Sequence, residues 1–458
     1  METDKEIESL REQVRTVTTD IIRSVQKRMD LARQIGEIKG RIGIDIRDEK
    51  VEREIRALVL STAQKQGMDD DFALRLLNIL LDESESVQSK GRRQPPRQTH
   101  LGIFMRAREL EASGKEMIHL EVGEPDYPPP SAVGIAISEA FAQKRYHYTE
   151  TRGIAKLREA LARREGVGER EVIVTPGGRF AVFSAVVSLL RPGNEMIVIE
   201  PSWPAYKECA DFIGAKTRVL RTRLDDGWTP DLAQLEEMIG PATRMIVLNY
   251  PNNPTGKILP SQILEKIVSM AREHRLYLLS DEVYSDYSFT TKFKSVMEFD
   301  YDRRIMVSSF SKRYAMTGFR VGYAVAEQEI IKKMSKVQAV GITSVAEPMQ
   351  HAALAALNQD FEENVKLMRE RIDYLCSRLD KMALRFARPD GAMYVYPELP
   401  GIDDMKLVEV LLERGVAVAP GSGFGDSYSK FIRISACRPI DVLAKGMDRV
   451  ESLIKELR

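Results

Sequence analysis

The sequence has few cysteines, few tryptophans and no surplus of either charge. Its 458 residues include 3 Cys, 2 Trp and 5 His, and 68 Lys and Arg balance 68 Asp and Glu. Three scattered cysteines cannot provide a disulfide framework or a cysteine metal cluster. A formal net charge of zero argues against a chain that works mainly on nucleic acid or on an anionic membrane surface.

Long apolar runs are also missing. The sequence contains no stretch of the roughly 18 apolar residues that span a bilayer, and its first residues are charged, unlike a signal sequence. We therefore expect a cytoplasmic protein without a membrane partner. With 43% apolar and 30% charged residues, the chain can build globular cores, and at roughly 150 residues per domain its length suggests about three compact units.

Residues 1–94 lack proline, and Phe72 is their only aromatic residue. A segment of this kind, with apolar residues at helical spacing, predicts helices and no strands. We place the three helices at about 6–39, 48–66 and 69–88.

Beyond residue 100 the pattern changes, because short apolar segments alternate with helical ones and Pro and Gly mark the turns. Such alternation predicts an α/β fold. The predicted fold class is therefore α followed by α/β. We expect a helical domain over 1–90, a linker over 91–100 and an α/β region over 101–458.

The first helix, which we expect to stop at Gly40 and Gly43, carries a long apolar stripe. Along this helix, the residues spaced three and four apart on one face are all apolar except Ser24 and Arg28. The apolar positions of this stripe are Ile7, Leu10, Val14, Val17, Ile21, Leu31, Ile35 and Ile38. Two shorter helices cannot cover it, so we expect a homodimer or a higher homo-oligomer.

Polar side chains in the helical region recur at spacings that would bring them together. Arg28 and Lys39 are eleven residues apart, about three turns, and share nearly the same helix face. Two further pairs are four residues apart, each on one helix face, and they are Asp48 with Glu52 and Ser84 with Gln88. These groups indicate a site for a small polyanion, although Arg28 alone could simply extend to solvent.

Residues 6–90 resemble the all-helical chorismate mutases, which are intertwined dimers of three-helix chains. The resemblance implies the rearrangement of chorismate to prephenate, which needs positioning and electrostatic stabilisation but no covalent catalysis. The substrate-binding residues that it implies are Arg28, Lys39, Asp48, Glu52, Ser84 and Gln88, together with Arg11, which would serve the partner subunit's site. The arginines would hold the carboxylates. Lys39 and Gln88 would face the ether oxygen, which makes them catalytic together with Arg28.

One position departs from the pattern of that family. The family has an arginine where this chain has Val51, and Arg47, one turn earlier, would partly substitute for it. Two alternatives to an active mutase therefore stay open. The bundle could be a non-catalytic sensor of chorismate or prephenate, or a plain dimerisation bundle.

In the α/β region, four predicted strands end in turns that carry polar or glycine residues. The four junctions are 172–175 before Gly178 and Arg179, 245–248 before Asn253, 276–280 before Asp281 and Tyr284, and 305–309 before Lys312. Ligands of open α/β sheets bind beyond the carboxyl ends of the strands, and a glycine pair before a helix offers free N–H groups to a phosphate. An amine, an acid, a phenol, an amide and a phosphate site in one crevice suit pyridoxal phosphate chemistry.

This ordered set resembles the class I (fold type I) aminotransferases over about residues 100–458. The resemblance implies a mostly parallel sheet in a large domain over about 140–345. It also implies a small α/β domain built from 101–139 and 346–458. The implied cofactor is pyridoxal 5'-phosphate.

The resemblance further implies a role for each motif residue toward the cofactor. Lys312 would form the Schiff base and move the proton, and Asp281 would keep the pyridine nitrogen protonated. Tyr284 and Asn253 would hydrogen-bond the phenolate oxygen. The remaining implied cofactor-binding residues are Gly178, Arg179, Trp203, Ser309 and Arg320, with Tyr148 reaching the phosphate of the neighbouring subunit.

The implied substrate contacts are fewer. Arg433 would bind the α-carboxylate in a two-pronged manner, and Gly123 would close over it. Trp203 and Asn253 would also border the substrate. Arg179, directly after the glycine pair, would face the distal carboxylate of a dicarboxylic substrate, unless its amide alone matters.

The leading interpretation is one chain with two enzymes of aromatic amino-acid biosynthesis. A mutase would make prephenate, and an aminotransferase would convert prephenate to arogenate or act on aspartate and aromatic 2-oxo acids, with aspartate or glutamate as donor. The alternative is an aspartate or aromatic aminotransferase with a sensor domain. A remote alternative is a transcription regulator with an aminotransferase-like domain. Since residues 1–94 show neither predicted strands nor a basic surplus, we expect no nucleic-acid partner.

Overall fold

A computed structural model describes residues 2–42, 48–89, 100–290, 292–399 and 401–457 of the chain. The chain forms two compact units, Met1–Pro96 and Arg97–Arg458. Within the described ranges, none of the helices combines the length and the apolar character that crossing a membrane requires.

The first unit is all-helical, with α1 at Glu2–Ile42, α2 at Glu49–Lys65 and α3 at Asp70–Ser89. Asp69 caps the N-terminus of α3, because its Oδ1 accepts a hydrogen bond from the Phe72 amide at 2.8 Å. Helix α1 passes the first predicted stop at Gly40 and continues to Ile42, directly before the second predicted stop at Gly43. A single glycine costs a helix only about 1 kcal/mol, which the flanking turns offset. Arg47 lies outside the described residues.

The apolar stripe of α1 is exposed along its whole length. Its residues range from 44% exposed at Ile7 to 65% at Val14, and Ile38 at the other end is 50% exposed. The face of α1 that is buried in the bundle contains Met29 and Ala32, which lie beside the stripe. Within one chain, the described helices therefore leave much of the stripe uncovered.

The second unit is built on a seven-stranded sheet. Its strands are β2 (Val172–Thr175), β3 (Glu195–Glu200), β4 (Lys216–Arg221), β5 (Thr243–Asn249), β6 (Tyr277–Asp281), β7 (Arg304–Ser309) and β8 (Gly322–Ala326). Their order is β2-β8-β7-β6-β5-β3-β4, and β8 alone runs antiparallel to its neighbours. The expected mostly parallel sheet is confirmed.

Helices cover both faces of this sheet. The helices that follow the linker are α4 (His100–Ala112), α5 (Ser131–Ala142), α6 (Ala155–Glu165), α7 (Gly178–Leu189), α8 (Ala205–Phe212), α9 (Leu232–Met238), α10 (Ser261–Glu273), α11 (Phe310–Arg313), α12 (Gln328–Ile342) and α13 (Glu347–Ala356). Alternate strand residues face opposite layers, because Met196 packs in the core with α7 whereas Ile197 packs in the core with α10.

A smaller lobe contains residues 362–457 and the strand β1 (Ile118–His119). Its other elements are α14 (Glu362–Lys381), β9 (Tyr394–Val395), α15 (Asp404–Glu413), β10 (Val416–Ala417), β11 (Ala419–Pro420), β12 (Ile432–Ser435) and α16 (Ile440–Leu457). Strand β1 pairs with β10, and β11, β12 and β9 form an antiparallel sheet. Val133 of α5 and Ala352 of α13 belong to the core of the large lobe, although the sequence placed them in the small domain.

Candidate active sites

A cavity of about 360 Å³ opens beyond the carboxyl ends of the large-lobe strands. Strands β5, β6 and β7 end at Asn249, Asp281 and Ser309, which all line it. The predicted residues that border this cavity are Gly123, Gly178, Arg179, Trp203, Asn253, Asp281, Tyr284, Ser309, Lys312, Arg320 and Arg433. The chain therefore brings one set of predicted groups together in a single crevice.

Lys312 reaches the cavity from the short helix α11, directly after β7. Its Nζ donates a hydrogen bond to the carbonyl oxygen of Gly123. Desolvation by burial lowers the pKa of Lys312, and the nearby guanidinium of Arg433 lowers it further. A lysine held in this way loses its proton more readily than a surface lysine, so its amine is suited to act as nucleophile and base.

Asp281 lies at the end of β6 and is 3% exposed. Its Oδ2 accepts a hydrogen bond from the Tyr206 hydroxyl at 2.7 Å, and the Asn249 side chain donates to its backbone carbonyl at 3.1 Å. Burial raises the pKa of Asp281 to about 6, although Tyr206, the Val283 amide and Lys312 oppose the shift. A buried carboxylate of this kind favours a cationic N–H partner. Tyr206 and Asn249 were not predicted from the sequence.

The turn between β2 and α7 forms an anion cradle. Gly177 has φ of +84°, and a Cβ there would lie 2.6 Å from Nη2 of Arg320, so this position requires glycine. Helix α7 begins at Gly178, which lines the cavity, and Ser309 lies close to Gly178. A helix N-terminus beside an arginine and a serine is suited to a phosphate.

Arg433 and two phenols also line the cavity. Arg433 is 3% exposed; its Nη1 donates to Oδ1 of Asn253 at 2.8 Å, and its Nη2 donates to the carbonyl of Glu121. The Tyr394 ring lies 4.3 Å from this guanidinium, and its hydroxyl is 2.7 Å from that of Tyr284. Burial raises the pKa of Tyr284 well above its ordinary value and that of Tyr394 to about 12, so both phenols stay protonated. Tyr394 was missed in the sequence.

The Arg179 side chain is 53% exposed, whereas Arg433 is buried. The Arg179 guanidinium stacks 4.4 Å from the Trp203 ring, and its Nη1 lies 3.8 Å from Oε2 of Glu208. Tyr148 is 88% exposed and does not contact the cavity in its own chain. Its predicted contact with a neighbouring subunit stays a prediction.

The helical unit has a cavity of its own, of about 240 Å³. The predicted residues that line it are Arg28, Lys39, Asp48, Glu52, Ser84 and Gln88, and Val51 lies among them. Glu85 also lines it and was not predicted, although it directly follows Ser84. Helices α1 and α3 approach closely at this point, since a Cβ on Gly36 would lie 2.7 Å from Cα of Gln88.

Arg28 is directed from α1 toward α3. Its Nη1 donates to the Leu80 carbonyl and to Oγ of Ser84, and that Oγ donates to the same carbonyl at 2.6 Å. Burial lowers the pKa of Arg28 from its ordinary value, but such a group stays charged at neutral pH. Arg11, by contrast, lies outside this cavity and pairs with Glu8 of its own helix at 3.2 Å.

Comparison with known proteins assigns each of the two units to a family. The family Aminotransferase class I and II matches residues 115–450, and the family Chorismate mutase type II matches residues 10–89. The chain therefore belongs to the class I and II aminotransferases and carries a type II chorismate mutase domain at its start. It is an enzyme with two catalytic domains, and its aminotransferase domain uses pyridoxal phosphate.

Individual relatives cover nearly the whole second unit. The chain is 36% identical over 363 residues to an aspartate aminotransferase of Thermotoga maritima, covering 76% of this chain and 94% of that protein. It is 37% identical over 363 residues to an aspartate/prephenate aminotransferase of Thermus thermophilus, with the same coverage. The solved Thermotoga maritima enzyme superimposes with a TM-score of 0.76 at 34% identity, covering 79% of this chain and 98% of that one.

Proposed function

We propose that the helical domain rearranges chorismate to prephenate and that the aminotransferase domain transfers an amino group from aspartate or glutamate to prephenate. The observation that carries this proposal is the pairing, in one chain, of a mutase-type cavity with an aminotransferase of a kind that includes an aspartate/prephenate enzyme. Prephenate is itself a 2-oxo acid, so the product of the first reaction is a chemically suitable acceptor for the second.

In the helical domain, the residues would act by holding the dianion in its reactive shape. Arg28 would bind a carboxylate, and Lys39 and Gln88 would stabilise negative charge on the ether oxygen as the C–O bond breaks. Asp48, Glu52 and Ser84 would complete the binding wall. Because the reaction is intramolecular, this positioning is sufficient without a nucleophile.

In the aminotransferase domain, the residues of the large cavity suit pyridoxal phosphate. When bound, this cofactor supplies an electron sink next to the substrate α-carbon. Gly178, Ser309 and Arg320 would hold its phosphate, and Asp281 would keep its ring nitrogen protonated. Lys312 would carry the proton between carbon atoms, while Arg433 would hold the substrate carboxylate against Gly123.

We also propose a homodimer that covers the exposed stripe of α1. Leu10, Val14 and Val17 form an apolar strip that a second α1 of the same sequence would bury. In such a dimer, Arg11 would enter the partner subunit's mutase cavity, and Tyr148 would enter the partner subunit's phosphate site.

The decisive experiment incubates the full chain with chorismate, pyridoxal phosphate and either glutamate or aspartate. We expect mass spectrometry to detect prephenate and then its amino-acid form, arogenate. A chain that transaminates added prephenate but leaves chorismate unchanged would instead contain a sensor domain. In that case Val51 would be the first residue to examine.

Arg179→Ala is expected to lower kcat/KM for aspartate and prephenate by roughly 10- to 100-fold, because a charge-assisted hydrogen bond contributes about 1.5–3 kcal/mol. The values for monocarboxylic aromatic substrates such as phenylpyruvate should change little. Steady-state kinetics with both substrate classes test this. The control is Arg191→Ala, because Arg191 lies just after the C-terminal end of α7 and outside the cavity. An equal loss for both classes would leave Arg179 as a phosphate-site residue and weaken the prephenate assignment.

Val51→Arg is expected to raise kcat/KM for chorismate on the order of tenfold, since it adds a cation to a cavity that must hold a dianion. Glu85→Gln should act in the same direction, because it removes a negative charge from the same wall. Val51→Met adds length without charge and should have little effect. Chorismate loss followed by absorbance measures all three variants, and an increase in Val51→Met alone would contradict the electrostatic explanation.

A further inference from the structure

Residues 121–127, which we name the cavity strap, run past the aminotransferase cavity between β1 and α5. Their backbone contacts two of the residues proposed to act there. The Glu121 carbonyl accepts a hydrogen bond from Arg433, and the Gly123 carbonyl accepts one from Lys312. The strap therefore contacts both the carboxylate-binding arginine and the reactive lysine.

Asp126 fixes the far end of the strap to the small lobe. Nη1 and Nη2 of Arg371 lie 2.6 Å and 3.2 Å from the two carboxylate oxygens of Asp126, which is a bidentate arrangement. Arg371 belongs to α14 and is 5% exposed. Its Nη1 also lies 3.5 Å from the Ala436 carbonyl, just after β12. Neither residue lines the cavity.

The next residue fixes the strap to the large lobe. The hydroxyl of Tyr127 is hydrogen-bonded to that of Tyr287, a buried residue that follows β6. The Tyr287 hydroxyl in turn donates to the backbone carbonyl of Lys312 at 2.9 Å. Residues 126 and 127 thus tie one short segment both to α14 and to the segment that carries the lysine.

We propose that the Asp126–Arg371 pair is a positioning device for substrate binding. By fixing the strap, it holds Gly123 and the Glu121 carbonyl where they and Arg433 can enclose a substrate carboxylate. A planar two-pronged pair fixes orientation as well as distance, and a displacement on the order of one ångström is enough to weaken bound geometry strongly. The proposal rests on the aminotransferase function proposed above and adds two residues that do not contact the substrate.

A purely structural role for the pair is the alternative, and α14 offers a matched control for it. Arg378, two turns after Arg371, is also largely buried and pairs with Asp448 at 2.6 Å and Glu451 at 3.0 Å. Those partners lie on α16, and Arg378 does not contact the strap in any described interaction. Arg378→Lys therefore weakens a comparable ion pair without touching residues 121–127.

The experiment compares the full-length holoenzyme carrying Arg371→Lys or Asp126→Asn with the control variants Arg378→Lys and Asp448→Asn. We expect Arg371→Lys and Asp126→Asn to raise KM for aspartate about tenfold while kcat changes less than about threefold. The Kd of maleate, an inert dicarboxylate, should rise by a similar factor in calorimetry. The visible absorbance and the affinity for pyridoxal phosphate should stay unchanged, because the phosphate cradle lies on other elements.

Equal changes in the Arg371 and Arg378 variants, or a lower Tm with an unchanged KM and maleate Kd, would overturn the proposal. If Arg371→Lys does not fold, Asp126→Asn and Tyr127→Phe, both on the strap itself, decide the matter through the same two measurements. A wild-type enzyme that binds maleate but transfers no amino group would overturn the proposed function. The maleate Kd values of the strap variants and the control variants would still test the role of the Asp126–Arg371 pair.

Discussion

Lys312→Ala is expected to abolish amino-group transfer, with a loss of at least about a thousandfold. The lost amine is both the nucleophile and the general base, and base catalysis alone contributes roughly 10²- to 10⁴-fold. No other lysine lines the described part of the cavity, so no neighbour can replace it. Burial has already lowered the pKa of Lys312 from its ordinary value, which fits an amine that must be neutral for part of each cycle.

Two measurements check this expectation in one sample. The purified wild-type protein should absorb visible light when loaded with pyridoxal phosphate and lose that band on addition of aspartate, whereas Lys312→Ala should fail to complete a cycle. Chorismate mutase activity of the same variant should be unchanged, because Lys312 lies in the other compact unit of the chain. Lys332→Ala, an exposed lysine of α12, is the control substitution. Normal turnover by Lys312→Ala would refute the assignment of this lysine.

The site residues at the ends of the strands could be predicted, because each lies within a few residues of a recognisable apolar strand. A buried apolar strand followed by a polar residue indicates a functional edge of the sheet, and Asp281 and Lys312 both follow such strands. The glycine pair before α7 was recognisable for the same reason, since the need for glycine at position 177 arises within a few residues of the helix start. The mostly parallel sheet follows from the alternation of strands and helices.

The supporting residues were not predictable, because their partners are distant along the chain. Tyr206 bonds Asp281 across 75 residues, and Tyr394 meets Tyr284 across 110. The separation between Asp126 and Arg371 is 245 residues. Nothing in the local sequence distinguishes these phenols and this ion pair from ordinary core or surface residues. Their contacts with the site residues can be recognised only in the folded structure.

In the helical domain, both the fold and most of the cavity residues could be predicted from the sequence. The three helices could be predicted from the helical spacing of apolar residues and from the lack of proline. The spacing of Arg28 and Lys39 also predicted that both would line one cavity, as they do. Glu85 escaped notice because it breaks the four-residue step from Ser84 to Gln88. The missing cation at Val51 was readable directly, and with Glu85 it makes the cavity less positive than a dianion would favour.

The mutase reaction is expected to depend most strongly on Arg28. Arg28→Ala should lower kcat/KM for chorismate by roughly 30-fold to several thousandfold, because removing one partner of a desolvated charge pair costs about 2–5 kcal/mol. The large effect is expected because Val51 leaves Arg28 and Lys39 as the described cations of the cavity. Each therefore carries a larger share of the carboxylate binding.

Arg28 is also held ready for this role before the substrate arrives. Its guanidinium is bonded to the Leu80 carbonyl and to Ser84, which orients it without neutralising it. Ser84→Ala should therefore reproduce a small part of the Arg28→Ala loss, on the order of tenfold or less, by loosening the guanidinium. Arg28→Lys should recover little, since an ammonium group cannot form the same two-pronged contact with a carboxylate.

Chorismate disappearance measured on the full chain tests these variants, and aminotransferase activity in the same preparation reports whether the protein is intact. Arg33→Ala is the matched control, because Arg33 lies on the same helix, is 55% exposed and pairs with Asp30 at 3.0 Å outside the cavity. We expect it to keep wild-type mutase activity. If Arg28→Ala and Arg33→Ala lost activity equally, the cavity between α1 and α3 would not be the site of the rearrangement.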